Sequence, residues 1–122
     1  MTAKAMDKRV VQEFRQRLAE ARRRLLGTVI TTDDELATLE AHQAGSLGED
    51  VATELATAVL SRLEGREKHE LDEIEAAQTR LEAGRFGVCE DCGGAIPLAR
   101  LRAMPTARHC LGCQARHEAA GA

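Results

Sequence analysis

The chain is predicted to be mainly α-helical, a long antiparallel two-helix coiled-coil hairpin followed by a small cysteine-pinned module and a short C-terminal helix. Three features of the 122 residues predict it. Apolar residues recur at heptad spacing through the N-terminal part, a glycine-bounded interruption at Gly45–Gly48 divides two helical stretches, and four cysteines stand as two C-x2-C pairs separated by seventeen residues. Ala, Leu, Glu and Arg dominate, and aromatics are limited to Phe14 and Phe86. That composition belongs to long helices and coiled coils rather than to a large globular core.

The first helix is expected from about Lys4, with Val11, Phe14, Leu18, Ala21 and Leu25 in a 3,4,3,4 rhythm that forms a heptad seam. The rhythm resumes at Val29, Thr32, Leu36 and Leu39 after one spacing of four where three is expected, which reads as a stutter within a continuous helix. The alternative is a break between Gly27 and Asp34, where β-branched Thr28 to Thr32 crowd together and Thr32 or Asp33 can cap a new start. Gly45, Ser46, Leu47 and Gly48 place the hairpin tip at about 44–50. The second helix is expected from about Glu49 to Ala83, with Val51, Leu55, Val59, Leu63, Ile74 and Leu81 near one face. Its polar middle, Glu64 to Glu70, is expected to pair with Arg22, Arg23 and Arg24 of the first helix. At 1.5 Å per residue the two helices make a rod roughly 50–60 Å long. The chain thus divides into a hairpin over 1–83 and a module over 84–122, with Gly84 ending the second helix. Gln114 to Ala120 is expected to form the final helix and to pack beside the start of the first.

Cys89, Cys92, Cys110 and Cys113 carry the chemistry. Each C-x2-C pair forms a knuckle that brings two thiolates to one ion, and two knuckles complete a tetrahedral zinc site. Gly93 and Gly94 follow the first knuckle, where the backbone must turn with positive φ, and Gly112 lies inside the second. Four cysteines close the coordination shell, so one structural Zn2+ is expected and metal-assisted hydrolysis is not. Two disulfides and a redox switch that releases zinc on oxidation are the competing readings; absence of a signal peptide favours a cytoplasmic location, where thiols stay reduced. His109 abuts Cys110 but is left outside a satisfied shell, and His42, His69 and His117 read as surface residues.

The net charge of −3 conceals segregation: residues 1–30 carry +5, residues 31–83 carry −10 and residues 84–122 carry +2. An acidic middle argues against wrapping nucleic acid, so direct sequence-specific DNA binding is not expected. Nor is a membrane span, because no apolar run approaches the ~20 residues one requires. The sequence holds no Ser/His/Asp set, phosphate-cradling loop or dinucleotide fingerprint, and an enzyme is not expected.

The stretch Gly84-Arg85-Phe86-Gly87-Val88-Cys89-Glu90-Asp91-Cys92-Gly93, with Ile96, Arg100-Leu101, Ala103, Pro105-Thr106-Ala107 and Cys110-Leu111-Gly112-Cys113, resembles the zinc finger of the DksA/TraR family. The resemblance implies a transcription regulator that binds RNA polymerase directly; the break at Gly45–Gly48 favours an intramolecular hairpin, and so a monomer, over a dimeric coil. It would insert its coiled-coil tip into the secondary channel, with ppGpp as a further ligand in the stringent response. The best-known members of the family carry a D-x-x-D-x-A pattern at the tip, and no register of this chain supplies its first aspartate. Counting back from Cys89 sets Ser46, Glu49 and Val51 on those positions, and a shift of one sets Leu47, Asp50 and Ala52 there. One acid, Glu49 or Asp50, is then the candidate to act near the polymerase active site, and both also suit a helix N-terminus. Arg85, Arg100, Arg102 and Arg108 are candidate contacts to the polymerase or to a phosphate. A zinc-stapled coiled-coil adaptor with another protein as partner is the competing function.

Overall fold

The computed structural model describes residues 6–30, 34–37, 40, 54 and 57–121. They are mainly helical, as expected, with α1 over Lys8–Leu26, α2 over Arg66–Glu82, α3 over Leu98–Ala103 and α4 over Leu111–Gly121. Residues 34–37 and 57–60 are also helical. The chain packs as two compact units, one of Met1–Glu20 with Glu73–Ala122 and the other of Ala21–Asp72. No helix among the described residues is long and apolar enough to cross a membrane. The expected tip residues Ser46, Leu47, Glu49, Asp50 and Ala52, together with His42, lie outside the described residues.

Helix α1 opens at Lys8 rather than Lys4 because Asp7 caps it. The Arg9 N–H donates to the Asp7 carboxylate at 2.7 Å, and the Val11 N–H donates to the Asp7 carbonyl at 3.0 Å. A capping carboxylate satisfies a backbone donor that has no partner inside the helix, so the preceding residues gain nothing from continuing it. The heptad seam is as expected, with Phe14, Leu18 and Leu25 buried and Val11 and Ala21 half-buried.

The stutter does not carry the helix through; α1 stops at Leu26. The Thr28 and Val29 N–H groups donate to carbonyls three residues back, at 3.2 and 3.0 Å, and the Thr28 hydroxyl donates to the Leu25 carbonyl at 2.7 Å. A threonine hydroxyl competing for helix carbonyls, among stiff β-branched neighbours, favours ending the helix over extending it. The second expected helix is interrupted as well. Arg62 and Leu63 donate three residues back to Val59 and Leu60, and Gly65 has φ +50° before α2 begins at Arg66. Polar Glu64 to Glu70 offers little apolar surface to reward a continuous helix, and most helix stability in proteins comes from such packing.

Within the unit of Ala21–Asp72 one arginine ties these interruptions together. Arg62 donates to the Val29 carbonyl at 2.9 Å and forks onto Glu35 at 2.9 and 3.1 Å. The Thr28 hydroxyl oxygen lies 3.2 Å from a Glu67 carboxylate oxygen and Glu35 meets Arg62, so the two flanks of the unit run antiparallel. The ion pair expected between Arg22–Arg24 and the 64–70 segment is replaced at Arg23, which pairs with Glu40 at 3.1 Å. Arg22 is buried.

Helix α2 ends where expected. The Gly84 N–H donates to the Leu81 carbonyl and the Arg85 N–H reaches back to Arg80, at 3.2 and 2.8 Å, with Gly84 at φ +73°. This pair of bonds around a left-handed glycine is the Schellman stop, and it turns the chain into the first knuckle.

Candidate metal centre

In the unit of Met1–Glu20 and Glu73–Ala122, the first knuckle is a tight hairpin. Val88 and Ala95 form an antiparallel bridge, the Cys89 N–H donates to the Gly94 carbonyl at 2.8 Å, and the Ile96 N–H donates to the Gly87 carbonyl at 2.8 Å. Gly93 turns it with φ +73°. Gly94 and Gly112 do not have positive φ; the second left-handed glycine of this knuckle is Gly87, at +81°. Gly112 needs no such turn because the second knuckle is the opening of a helix: the Gln114 N–H donates to the Cys110 carbonyl at 2.9 Å, and α4 runs from Leu111. The sequence places the start of this helix three residues too late. Beyond the half-buried Gln114, residues 115–120 are exposed, so the packing expected of this helix is not found.

A Cβ at Gly87 would meet the Met6 terminal methyl and lie 3.4 Å from Leu101 Cδ1. The methionine tip can move, but the left-handed backbone costs an alanine about 1–2 kcal/mol. Gly87→Ala is therefore expected to lower stability by about that amount in chemical denaturation; an unchanged midpoint would show that the turn relaxes.

Leu98–Ala103, α3, is an element that sequence reading missed. Pro97 at its N-cap was its signal, since proline suits a helix start, and the fully buried Leu101 is its anchor. Together with Phe14, Phe86, Ile96 and Ala107 it forms the apolar floor of the module. The Phe14 and Phe86 rings lie 5.0 Å apart at 45°, and the Arg17 guanidinium sits 5.9 Å above the Phe14 ring.

The four sulfurs lie within 4.8 Å of one another, and all four cysteines are free thiols. Cys92 and Cys110 approach to 3.9 Å between sulfurs, close to the edge of about 3.8 Å that a tetrahedron with 2.3 Å zinc–sulfur bonds requires. Cys89 and Cys113 are buried, Cys110 is half-buried and Cys92 is exposed.

The electrostatics also fit a dication. Burial would raise the Cys89 thiol, but backbone N–H groups of Cys92, Cys110 and Asp91 aimed at its sulfur bring it down to about 6. Cys110 is lowered, chiefly by the Cys113 backbone N–H. Cys113 is the counterweight: Arg116, donating to its sulfur at 2.9 Å, favours the thiolate, yet burial and the three neighbouring thiols push it up to about 12. Four thiols this close shed their protons in steps, and the last yields only when a cation offsets the accumulated charge. A bound Zn2+ supplies that charge, and Cys89, Cys92, Cys110 and Cys113 would hold it with no position open to substrate.

Three of the four candidate contact arginines are engaged within the fold. Arg108 forks onto Glu73 at 2.8 and 3.2 Å and reaches Glu90 at 3.0 Å, tying α2 to the first knuckle. Arg102 pairs with Glu13 of α1 at 3.1 Å and holds its carboxyl below the usual range. Arg100 donates to the His109 carbonyl at 3.0 Å. Arg85 is exposed and lines, with Arg80, Val88, Cys89 and Glu90, a cavity of about 400 Å³.

Residues 84–119 match the family described as the prokaryotic dksA/traR C4-type zinc finger. The likeness extends well beyond the finger: the RNA polymerase-binding transcription factor DksA of Caulobacter vibrioides is 32% identical over 113 residues, which are 93% of this chain and 79% of that protein. The chain belongs to the DksA/TraR family. Its C4 centre is accordingly a structural zinc site holding one Zn2+. Among solved structures, transcription factor DksA2 of Pseudomonas aeruginosa is 32% identical with a TM-score of 0.63, covering 94% of this chain and 88% of that one. The Chlamydia trachomatis regulator Dks shares the fold at 23% identity and a TM-score of 0.59.

Proposed function

We propose that this DksA/TraR-family chain is a transcription regulator, not an enzyme, that binds RNA polymerase directly in the cytoplasm. The observation that carries the reading is the relation, over 93% of this chain and 79% of the relative, to a DksA named for polymerase binding, with all four zinc ligands clustered. In this reading the protein acts as a monomer and enters the secondary channel. A tip drawn from Ser46, Leu47, Glu49, Asp50 and Ala52 approaches the active site, and ppGpp serves as a co-effector. The charge balance of −10 over residues 31–83 suits a channel with basic walls, because complementary charge speeds encounter. Of the arginines proposed to touch polymerase, Arg85 is the best placed, since Arg100, Arg102 and Arg108 are committed to internal partners.

The test is binding of zinc-loaded protein to purified core polymerase with a known secondary-channel factor as competitor. Saturable, competed binding is expected. The double substitution Glu49→Ala, Asp50→Ala is expected to retain binding and lose the effect on promoter complexes, with ppGpp present or absent. Binding that ignores the competitor would remove the channel from the reading, and no binding at micromolar protein would remove polymerase.

A further inference from the structure

We propose that Asp91, His109 and His117 form a second divalent-metal site on the zinc module, separate from the four cysteines and suited to Zn2+ or a similar borderline cation. The three residues present ligand atoms that lie within 4.8 Å of one another. His117 Nε2 is hydrogen-bonded to Asp91 Oδ2, and His109 Nε2 faces the other carboxylate oxygen at 3.7 Å. The imidazole centroids lie 4.4 Å apart with the rings tilted by 34°, and both turn Nε2 toward the one carboxylate. Two imidazoles and a carboxylate are a common borderline-metal donor set, and an ion with zinc bonds of about 2.0–2.2 Å would sit among them once His117 moves off its hydrogen bond to Asp91.

Folding of the cysteine site delivers these groups. Asp91 lies between Cys89 and Cys92, His109 precedes Cys110, and His117 stands four residues after Cys113, one turn further along α4. Once the first zinc fixes both knuckles, two of the three ligands have fixed backbones and the third sits on a helix, so little ordering remains to oppose binding. A zinc held by four thiolates carries a formal charge of −2, only partly offset by Arg116 at the Cys113 sulfur, which favours a further cation beside it. Asp91 and His117 are roughly half exposed, at 42% and 52% of the side chain, giving the ion an entry path. Each imidazole binds as its Nδ1–H tautomer, and water completes the coordination.

The experiment uses the tag-free 122-residue chain carrying one equivalent of zinc. It is titrated with Zn2+ by calorimetry and with Co2+ by absorption, while the histidine ring signals are followed by NMR. A second equivalent is expected, with cobalt showing d–d bands and no thiolate charge transfer, and with His109 and His117 responding together while His69 stays unchanged. His117→Ala, on the exposed side of α4, and Asp91→Asn are each expected to weaken that equivalent by more than about 100-fold, beyond the 10–100-fold effect of an outer-shell residue. The first equivalent should be retained in both. Saturation at one equivalent in the wild type would overturn the proposal, as would a second equivalent undiminished by His117→Ala or a response confined to His42 or His69.

Discussion

Stripping the zinc, or replacing Cys89 by serine, is expected to unfold residues 84–119 as a unit. Structural zinc contributes roughly 10–16 kcal/mol of apparent binding free energy in small zinc modules, comparable to or above the roughly 5–15 kcal/mol that holds a whole domain together. Segments below about 40 residues rarely bury enough apolar surface to fold without such a staple. Here the need is visible in the geometry. The first knuckle has a single β-bridge, the second is the first turn of a helix with few buried residues, and Cys89 and Cys113 are themselves core side chains at 1% exposure. Without metal, four thiols within 4.8 Å can ionise only in part, and serine at 89 leaves three ligands where the ion requires four. Amide exchange should show the loss directly, because the Cys89 N–H to Gly94 and Ile96 N–H to Gly87 bonds would lose protection. Slow exchange at both amides in metal-free protein would show that the apolar floor suffices alone.

Phe14→Ala is expected to cost about 3–5 kcal/mol, the usual range for deleting a fully buried aromatic ring. Phe14 has no exposed surface and joins α1 to the module through Phe86, 5.0 Å away between ring centres. Removing the ring takes away its own burial, its tilted stacking and the base on which the Arg17 guanidinium rests, in a chain with one other phenylalanine and no tryptophan or tyrosine to refill the space. Because folding of the module and zinc binding are linked, the variant should also yield its zinc to a chelator at lower concentration. The control is Gln12→Ala on the exposed side of α1, expected within about 0.5 kcal/mol of wild type. A loss below about 1 kcal/mol for Phe14→Ala would mean that the α1 contact is dispensable to the module.

Reading from residues alone succeeded where the determinants are local. The metal ligands follow from cysteine spacing, the Schellman stop follows from Gly84 after an amphipathic run, and the inner face of α1 follows from a heptad rhythm confirmed at Phe14, Leu18 and Leu25. Helix continuity was harder to read. The rhythm permitted an unbroken first helix, but hydrogen-bond competition from Thr28 and the reach of Arg62 to the Val29 carbonyl, thirty-three positions away in sequence, accompany its end at Leu26. Helix α3 was missed because six residues give too short a period to detect, although Pro97 marks its start.

The sequence by itself determined that this chain carries a four-cysteine zinc module after a helical stretch and belongs with the DksA/TraR family, because ligand chemistry and heptad spacing are written in residues close along the chain. Only the tertiary structure decided which charges are spent inside the fold and which groups meet. Arg108 closes on Glu73 from thirty-five positions away, and His117 closes on Asp91 from twenty-six. Such meetings depend on how helices and knuckles pack, and no local propensity encodes the partner of a side chain that the fold itself must bring near.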